Sequence, residues 1–166
     1  MGVLNITPDS FSDGGLFLAT DDALRQAGKL VRDGVDIIDI GGESSRPAGP
    51  YGDGAEQVTI EEETRRTAPV IEAVVKRFDV PISIDTVKAA VARSAIDAGA
   101  VAVNDISGLR GDTDMLDVIT SSGASVFIMH SKGTPQTMQR APMYDNLIGE
   151  IRGFLANEAE NARAKG

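Results

Sequence analysis

The sequence predicts an α/β fold with a parallel sheet, because short apolar segments alternate with amphipathic helical segments along the whole chain. The apolar segments are rich in Val and Ile, which is typical of parallel strands that are covered on both faces. Two architectures satisfy this pattern: an open, doubly wound sheet and a (β/α)₈ barrel of the TIM type. No GxGxxG or GxxxxGK[ST] motif follows any of these segments, so a nucleotide-binding open sheet is the less favoured of the two.

Five βα units are predicted in chain order. The strands are expected at residues 2–6, 35–40, 81–85, 101–105 and 125–129. The helices are expected at residues 21–33, 59–78, 87–98, 114–122 and 146–164. Thr59 and Glu62 fit a capping box at the start of the second helix. Pro69 lies inside that helix and predicts a kink or a break.

Composition and charge limit the class of protein. The chain has 166 residues, which suits a single domain over residues 1–166, and a net charge of −9, which disfavours nucleic acid as a partner. It has no cysteine, which excludes disulfides and thiolate chemistry. No segment approaches the roughly 20 apolar residues of a membrane span. No signal peptide is visible, so we expect a cytoplasmic protein that does not contact membranes.

Polar side chains stand at the end of every predicted strand: Asn5, Asp39, Asp85, Asn104 with Asp105, and His130. A barrel gathers such groups on one face, where its active site is built. Some of these residues could instead cap the helix that follows. Capping does not explain Asn5, which precedes a long loop, so the pattern as a whole favours an active face.

Two loops are longer than the usual 2–6 residues of a βα connection. They cover residues 5–20 and 41–57. Long loops on an active face are usually lids or binding loops. In a third polar loop, at 129–138, Lys132 is a candidate phosphate contact, whereas a single histidine such as His130 is more often structural than catalytic.

Motifs occupy the ends of all five predicted strands: NITPDSFSDGG (5–15), DIGGESSRP (39–47), ISIDT (82–86), NDISG (104–108) and MHSKGTPQTMQ (129–139). Together they resemble the motifs of the dihydropteroate synthase family, whose members are pterin-binding TIM-barrel enzymes. The resemblance implies the first five βα units of a (β/α)₈ barrel. It also implies a transferase of folate biosynthesis, a target of sulfonamides, that joins 6-hydroxymethyl-7,8-dihydropterin diphosphate to para-aminobenzoate and releases pyrophosphate.

The resemblance also implies roles for individual residues. The pterin would be bound by Asp39, Asp85, Asn104, Ile106 and Met129. The aminobenzoate and the two lid loops would involve Thr7, Phe11, Ser45, Arg46 and Pro47. Asp13 and Arg46 would assist catalysis, and Asn5 would contact Mg²⁺ and the diphosphate. Mg²⁺ is expected because it binds hard oxygen ligands and phosphates.

The chain carries five βα units, whereas a complete barrel has eight in about 250 residues. The later family motifs, among them a lysine in an SRK segment, are not in this sequence. A five-stranded sheet has two open edges, which favour pairing with another chain. We therefore expect a homodimer, association through those edges, or a section of a longer protein. Two alternatives stay open: an inactive or partial pterin-binding fragment, and a methyltetrahydrofolate methyltransferase that serves a corrinoid protein.

Overall fold

The computed structural model describes residues 1–6, 15–44, 58–133 and 141–166, with the backbone alone for residues 15–19. The described elements alternate as predicted: β1 (Gly2–Asn5), α1 (Gly15–Arg32), β2 (Ile38–Gly41), α2 (Ile60–Arg77), β3 (Ile82–Asp85), α3 (Ala89–Asp97), β4 (Ala102–Asp105), α4 (Met115–Ser122), β5 (Ser125–Ile128) and α5 (Leu147–Lys165). Most boundaries lie within two residues of the predicted ones, and two differ by more: α1 begins at Gly15 rather than residue 21, and β2 begins at Ile38 rather than residue 35.

The sheet is parallel, and its strands lie in the order β1-β2-β3-β4-β5. A doubly wound sheet reverses its strand order at a switch point, and no reversal occurs here. Each helix packs against the next helix along the chain, from α1 to α5. The strand order and the single series of helices are those of a (β/α)₈ barrel, which confirms the predicted fold class over five units.

Apolar side chains fix the sheet against the helices. In each strand, alternate residues point to opposite faces. One face carries the buried residues Leu4, Ile40, Ile84 and Val103, which the register places side by side. These residues pack with apolar residues of the helices in one continuous core. Because this face is buried against the helices, the polar residues that alternate with it in sequence lie on the opposite face of the sheet.

Helix α2 runs without interruption through Pro69, so the predicted break is wrong. Thr59 caps the helix, and its side chain accepts a hydrogen bond of 3.2 Å from the Glu62 N–H. Val70 and Ile71 on its apolar face are buried. Proline removes one backbone hydrogen bond from a helix, and the burial of this face offsets that loss. In the described part of the chain, no helix is long and apolar enough to cross a membrane.

Candidate active site

The carboxyl ends of the strands bring polar side chains into one row. The register pairs Asn5 with Gly41, Gly41 with Asp85, and Asp85 with Asn104. A Cβ atom on Gly41 would lie 3.5 Å from Asp85 Oδ2 and 3.7 Å from Asn5 Oδ1. The glycine therefore leaves open space between two oxygen-bearing side chains. The structure assembles Asn5, Asp85 and Asn104 at one edge, as predicted.

Asp39 holds the Asn104 side chain in place. Its carboxylate is only 3% exposed, and Oδ1 accepts a 2.6 Å hydrogen bond from the Ser83 hydroxyl. Oδ2 accepts a 2.8 Å bond from Nδ2 of Asn104. One N–H of the Asn104 amide is thus engaged by Asp39, and the amide carbonyl oxygen stays available as an acceptor. Sequence reasoning missed Ser83, although it lies two residues before Asp85 and so faces the same side of the sheet.

Asp85 lies in an environment that disfavours its negative charge. Burial is the main cause that raises the pKa of this carboxyl to about 7, followed by the charges of Asp39, Glu63, Asp105 and Glu43. Near neutral pH the group therefore exists in both protonation states. A carboxyl group with this property at the end of a barrel strand is a strong candidate for a functional residue.

Asp85 should make stability depend on pH in a defined direction. Its pKa is about 7 in the folded protein against an ordinary 3.8, so between these values the folded state binds a proton that the unfolded state does not. The free energy of unfolding should therefore fall as pH rises from about 4 to about 7. Urea unfolding across this range should show that slope in the parent and a smaller one in Asp85→Asn. Asp97→Asn, which removes an exposed carboxylate, is the control. If the free energy of unfolding changes with pH equally in the parent and in Asp85→Asn, Asp85 is not the source of the pH dependence.

A lysine at the start of α3 connects the loop after β2 to the first turn of α2. Lys88 Nζ donates hydrogen bonds to the Glu43 carboxylate and, at 2.5 Å, to Oε2 of Glu63. Glu63 is 1% exposed, and Glu43 also accepts a 3.3 Å bond from the Val58 N–H. Burial alone lowers the pKa of the Lys88 ammonium, but these two carboxylates raise it above its ordinary value. This bridge was not predictable from the sequence, because acidic residues in the first turn of a helix are common.

The loop after β2 is also fixed by α2. Arg66 Nη1 donates a 2.9 Å hydrogen bond to the Gly42 carbonyl oxygen. The Arg66 Nε donates a 2.7 Å bond to Glu62 Oε1, which holds the guanidinium in place. The start of the glycine-led loop is thus attached at two points, by Lys88 and by Arg66.

Asp105 organises the loop after β4. Its buried carboxylate accepts bonds of 2.7 Å and 2.6 Å from the N–H and hydroxyl of Ser107, and one of 3.2 Å from the Leu109 N–H. The Asp105 carbonyl oxygen accepts a 3.3 Å bond from the Met129 N–H. These bonds place the half-buried Ile106 and Met129 at the same edge of the sheet. Their predicted contact with a pterin ring stays a prediction.

Gly108→Ala should destabilise the protein more than a glycine substitution of the same backbone conformation elsewhere. Gly108 has φ +68°, and a Cβ atom there would lie 2.8 Å from the Met129 carbonyl oxygen. Gly123 has φ +70° with nothing within 4 Å of its Cβ position. We expect Gly123→Ala to cost about 1 kcal/mol for the left-handed conformation. Gly108→Ala should cost about 2–4 kcal/mol, since crowding adds to the same term. Equal losses in urea unfolding would show that crowding is not the cause.

His130 and Lys132 contact other parts of this chain. The His130 ring meets the edge of Phe154 at 4.9 Å between centroids and lies 5.9 Å from Tyr144. Lys132 Nζ donates 2.6 Å hydrogen bonds to Glu150 Oε2 and to the Met143 carbonyl oxygen. The structural interpretation of His130 is therefore favoured. Lys132 is engaged with α5 and the segment before it, which does not favour a phosphate contact.

Six of the predicted site residues lie outside the described residues: Thr7, Phe11, Asp13, Ser45, Arg46 and Pro47. Their roles in the lid loops, in the aminobenzoate pocket and in catalysis stay predictions. The loops that carry them follow β1 and β2, so they leave the same edge of the sheet as Asn5 and Gly41.

Comparison with known sequences gives a family match that covers the whole chain. The sequence profile described as pterin binding enzyme matches residues 1–166. The chain belongs to the pterin-binding enzyme family.

Individual relatives of this chain are dihydropteroate synthases. The chain is 49% identical over 166 residues to the dihydropteroate synthase of a Synechocystis species, and covers 55% of that protein. Its fold superposes with a TM-score of 0.86 on dihydropteroate synthase from Clostridium difficile, crystallised in the presence of pteroic acid, at 44% identity and with 59% of that structure covered. The enzyme from Xanthomonas albilineans with 4-aminobenzoic acid gives 0.85 at 40% identity, with 56% covered. Both structural matches cover the whole of this chain. The chain thus spans little more than half the length of these relatives.

Proposed function

We propose that this chain forms the N-terminal, pterin-binding part of a dihydropteroate synthase barrel in folate biosynthesis. The observation that carries the proposal is the row of Asn5, Gly41, Asp85 and Asn104 at the carboxyl ends of four adjacent strands. The similarity to proteins of that name over the whole chain supports it. The substrates are a dihydropterin diphosphate and para-aminobenzoate.

Asp85 and Asn104 suit the hydrogen-bonding edge of a pterin. The ring presents adjacent N–H donors, and an ionised carboxylate such as Asp85 accepts two of them with charge-assisted bonds. The carbonyl oxygen of Asn104 accepts a further N–H, because Asp39 binds its amide nitrogen. Ile106 and Met129 would cover the flat faces of the ring. In this arrangement Asp39 acts chiefly by holding Asn104.

The residues present are compatible with Mg²⁺. Asn5 and Asp85 both place an oxygen beside Gly41, and such oxygens are hard ligands. Within the described ranges, no group of three carboxylate or histidine side chains could hold a metal by itself. This donor set fits an ion that keeps several waters and binds through the substrate's phosphates. Bound there by Asn5, Mg²⁺ would neutralise charge on the departing diphosphate.

The reaction requires stabilisation of charge and exclusion of water. The C–O bond to the diphosphate breaks, the aryl amine of para-aminobenzoate forms a C–N bond to the same carbon, and the amine loses a proton. Asp13 and Arg46, on the two long loops, would stabilise the cationic pterin and the leaving group. Phe11 and Pro47, together with Thr7 and Ser45, would close over the aminobenzoate and exclude water.

The direct test is synthesis of dihydropteroate by the purified protein. The protein is incubated with 6-hydroxymethyl-7,8-dihydropterin diphosphate, para-aminobenzoate and Mg²⁺, and dihydropteroate and pyrophosphate are quantified. We expect equal amounts of both products, and none when para-aminobenzoate is omitted. Pterin binding without product would favour the non-catalytic alternative. Methyl transfer from methyltetrahydrofolate to a corrinoid protein, without dihydropteroate, would favour the methyltransferase alternative.

We further propose that copies of this chain associate in the cytoplasm, through the edges of the sheet or as a homodimer. Val3 on β1 is 56% exposed and Phe127 on β5 is 41% exposed, and these two strands form the edges of the described sheet. Exposed apolar groups on unpaired edges favour pairing. Sedimentation equilibrium should show association that weakens in Phe127→Thr. A monodisperse monomer would contradict this proposal without affecting the proposed chemistry.

A further inference from the structure

A second cleft lies away from the candidate active site, between α1 and the end of α2. Its volume is about 410 Å³. It is lined by Asp21, Leu24, Arg25, Gly28, Arg32, Arg77 and Phe78. Arg32 and Arg77 are the last residues of α1 and α2. Because these helices begin at the carboxyl edge of the sheet and run back, the end of the cleft formed by Arg32 and Arg77 lies toward the opposite edge.

The charge of this cleft differs from that of the chain as a whole. The net charge of the chain is −9, yet three guanidinium groups and one carboxylate line the cleft. Arg25 pairs with Asp22. Neither Arg32 nor Arg77 forms an ion pair with a carboxylate of the described segments. The helix dipole favours a cation at the C-terminal end of each helix, but it does not explain why three arginines converge on one cleft.

The floor of the cleft brings a cation and an aromatic ring together. A Cβ atom on Gly28 would lie 3.3 Å from Phe78 Cζ and 3.5 Å from Arg32 Nη1. Glycine within a helix is less stable than alanine, and here it allows both groups to approach the helix backbone. Leu24 and Phe78 supply apolar surface beside the arginines. The volume lies within the range of sites for small molecules.

We propose that this cleft binds a small phosphorylated ligand with a planar apolar body, of the nucleotide class. Guanidinium groups match phosphate oxygens with paired hydrogen bonds, and two of those in the cleft, Arg32 and Arg77, form no ion pair with a carboxylate of the described chain. The Phe78 ring and Leu24 provide contact for the planar part. The net charge of −9 on the whole chain disfavours a nucleic acid polymer as the ligand. This site is separate from the proposed pterin site.

Adenosine 5′-monophosphate is a suitable probe. It is titrated into the isotopically labelled protein and followed by amide chemical shifts, with adenosine and inorganic phosphate titrated separately. We expect saturable shifts at Gly28, Arg77 and Phe78 and weaker binding of each partial probe. No saturation at millimolar concentration would overturn the proposal. So would shifts confined to the edge that carries Asp85, or adenosine binding as tightly as the monophosphate.

Substitution of single arginines tests where the phosphate group of the probe binds. Arg32→Gln and Arg77→Gln should each weaken adenosine monophosphate binding about tenfold, the equivalent of one lost charge-assisted hydrogen bond. Arg93→Gln removes the same charge from α3, outside the cleft, and should leave the affinity unchanged. An equal effect of all three would show a nonspecific charge effect and overturn the site. Asp85→Asn should retain binding, so the result does not depend on the pterin site.

Discussion

Replacing Asp85 by asparagine is expected to weaken pterin binding strongly while the protein stays folded. The ionised carboxylate would accept two N–H groups of the pterin, and each hydrogen bond to a charged group is worth about 1.5–3 kcal/mol. Asparagine offers one acceptor and presents an N–H₂ group that cannot pair with a donor. The affinity for the pterin diphosphate should therefore fall about 100-fold or more, which calorimetry with Mg²⁺ present measures directly.

The pH dependence of binding gives an independent test of the same residue. The pKa of Asp85 is raised to about 7, and in the proposed site the ionised form would accept the pterin N–H groups, so affinity in the parent should rise as pH increases through 7. Asp85→Asn should lose this dependence together with the affinity. Asp97→Asn should leave both unchanged. Binding by Asp85→Asn at the parent's affinity would remove Asp85 from the pterin site.

The second large effect is expected from Lys88→Met. This substitution leaves the Glu63 carboxylate, which is 1% exposed, without its cation. Breaking a buried ion pair costs about 3–5 kcal/mol, and we expect the low end of this range because Lys88 and Glu43 keep some contact with water. Urea unfolding measures the loss. Lys76→Met removes an exposed pair with Glu72 and should cost less than about 1 kcal/mol.

A double substitution separates the charge of Lys88 from its packing. In Lys88→Met with Glu63→Gln, the buried negative charge is also removed, so most of the lost stability should return. If the losses of the two single substitutions simply add, the bridge is not the source of the effect.

The same bridge should affect the pH dependence of pterin binding. Without the Lys88 cation, the charges of Glu43 and Glu63 act more strongly on Asp85, and the pH at which the pterin binds should move upward. A loss of stability with an unchanged pH midpoint would limit Lys88 to a structural role. This measurement requires only the parent, Lys88→Met and the pterin diphosphate.

The order and type of the elements followed from the sequence. Short segments rich in Val and Ile are typical of parallel strands covered on both sides, and the helical repeat between them is equally clear. The positions of Asn5, Asp85 and Asn104 were also predictable, because polar residues that end parallel strands must meet at one edge. Pro69 shows where local rules failed, since burial of the apolar face of α2 outweighed one missing backbone hydrogen bond.

What the sequence determined by itself is therefore the five βα units, the family motifs and the edge of the sheet that carries the polar residues. Tertiary structure alone decided which of these groups bond to one another. The Lys88 bridge to Glu43 and Glu63 and the Ser83–Asp39–Asn104 chain join residues far apart in sequence. The pKa of Asp85 depends on burial and on charges from three other segments. Local patterns report propensity and periodicity, whereas these contacts exist only once the strands are in register.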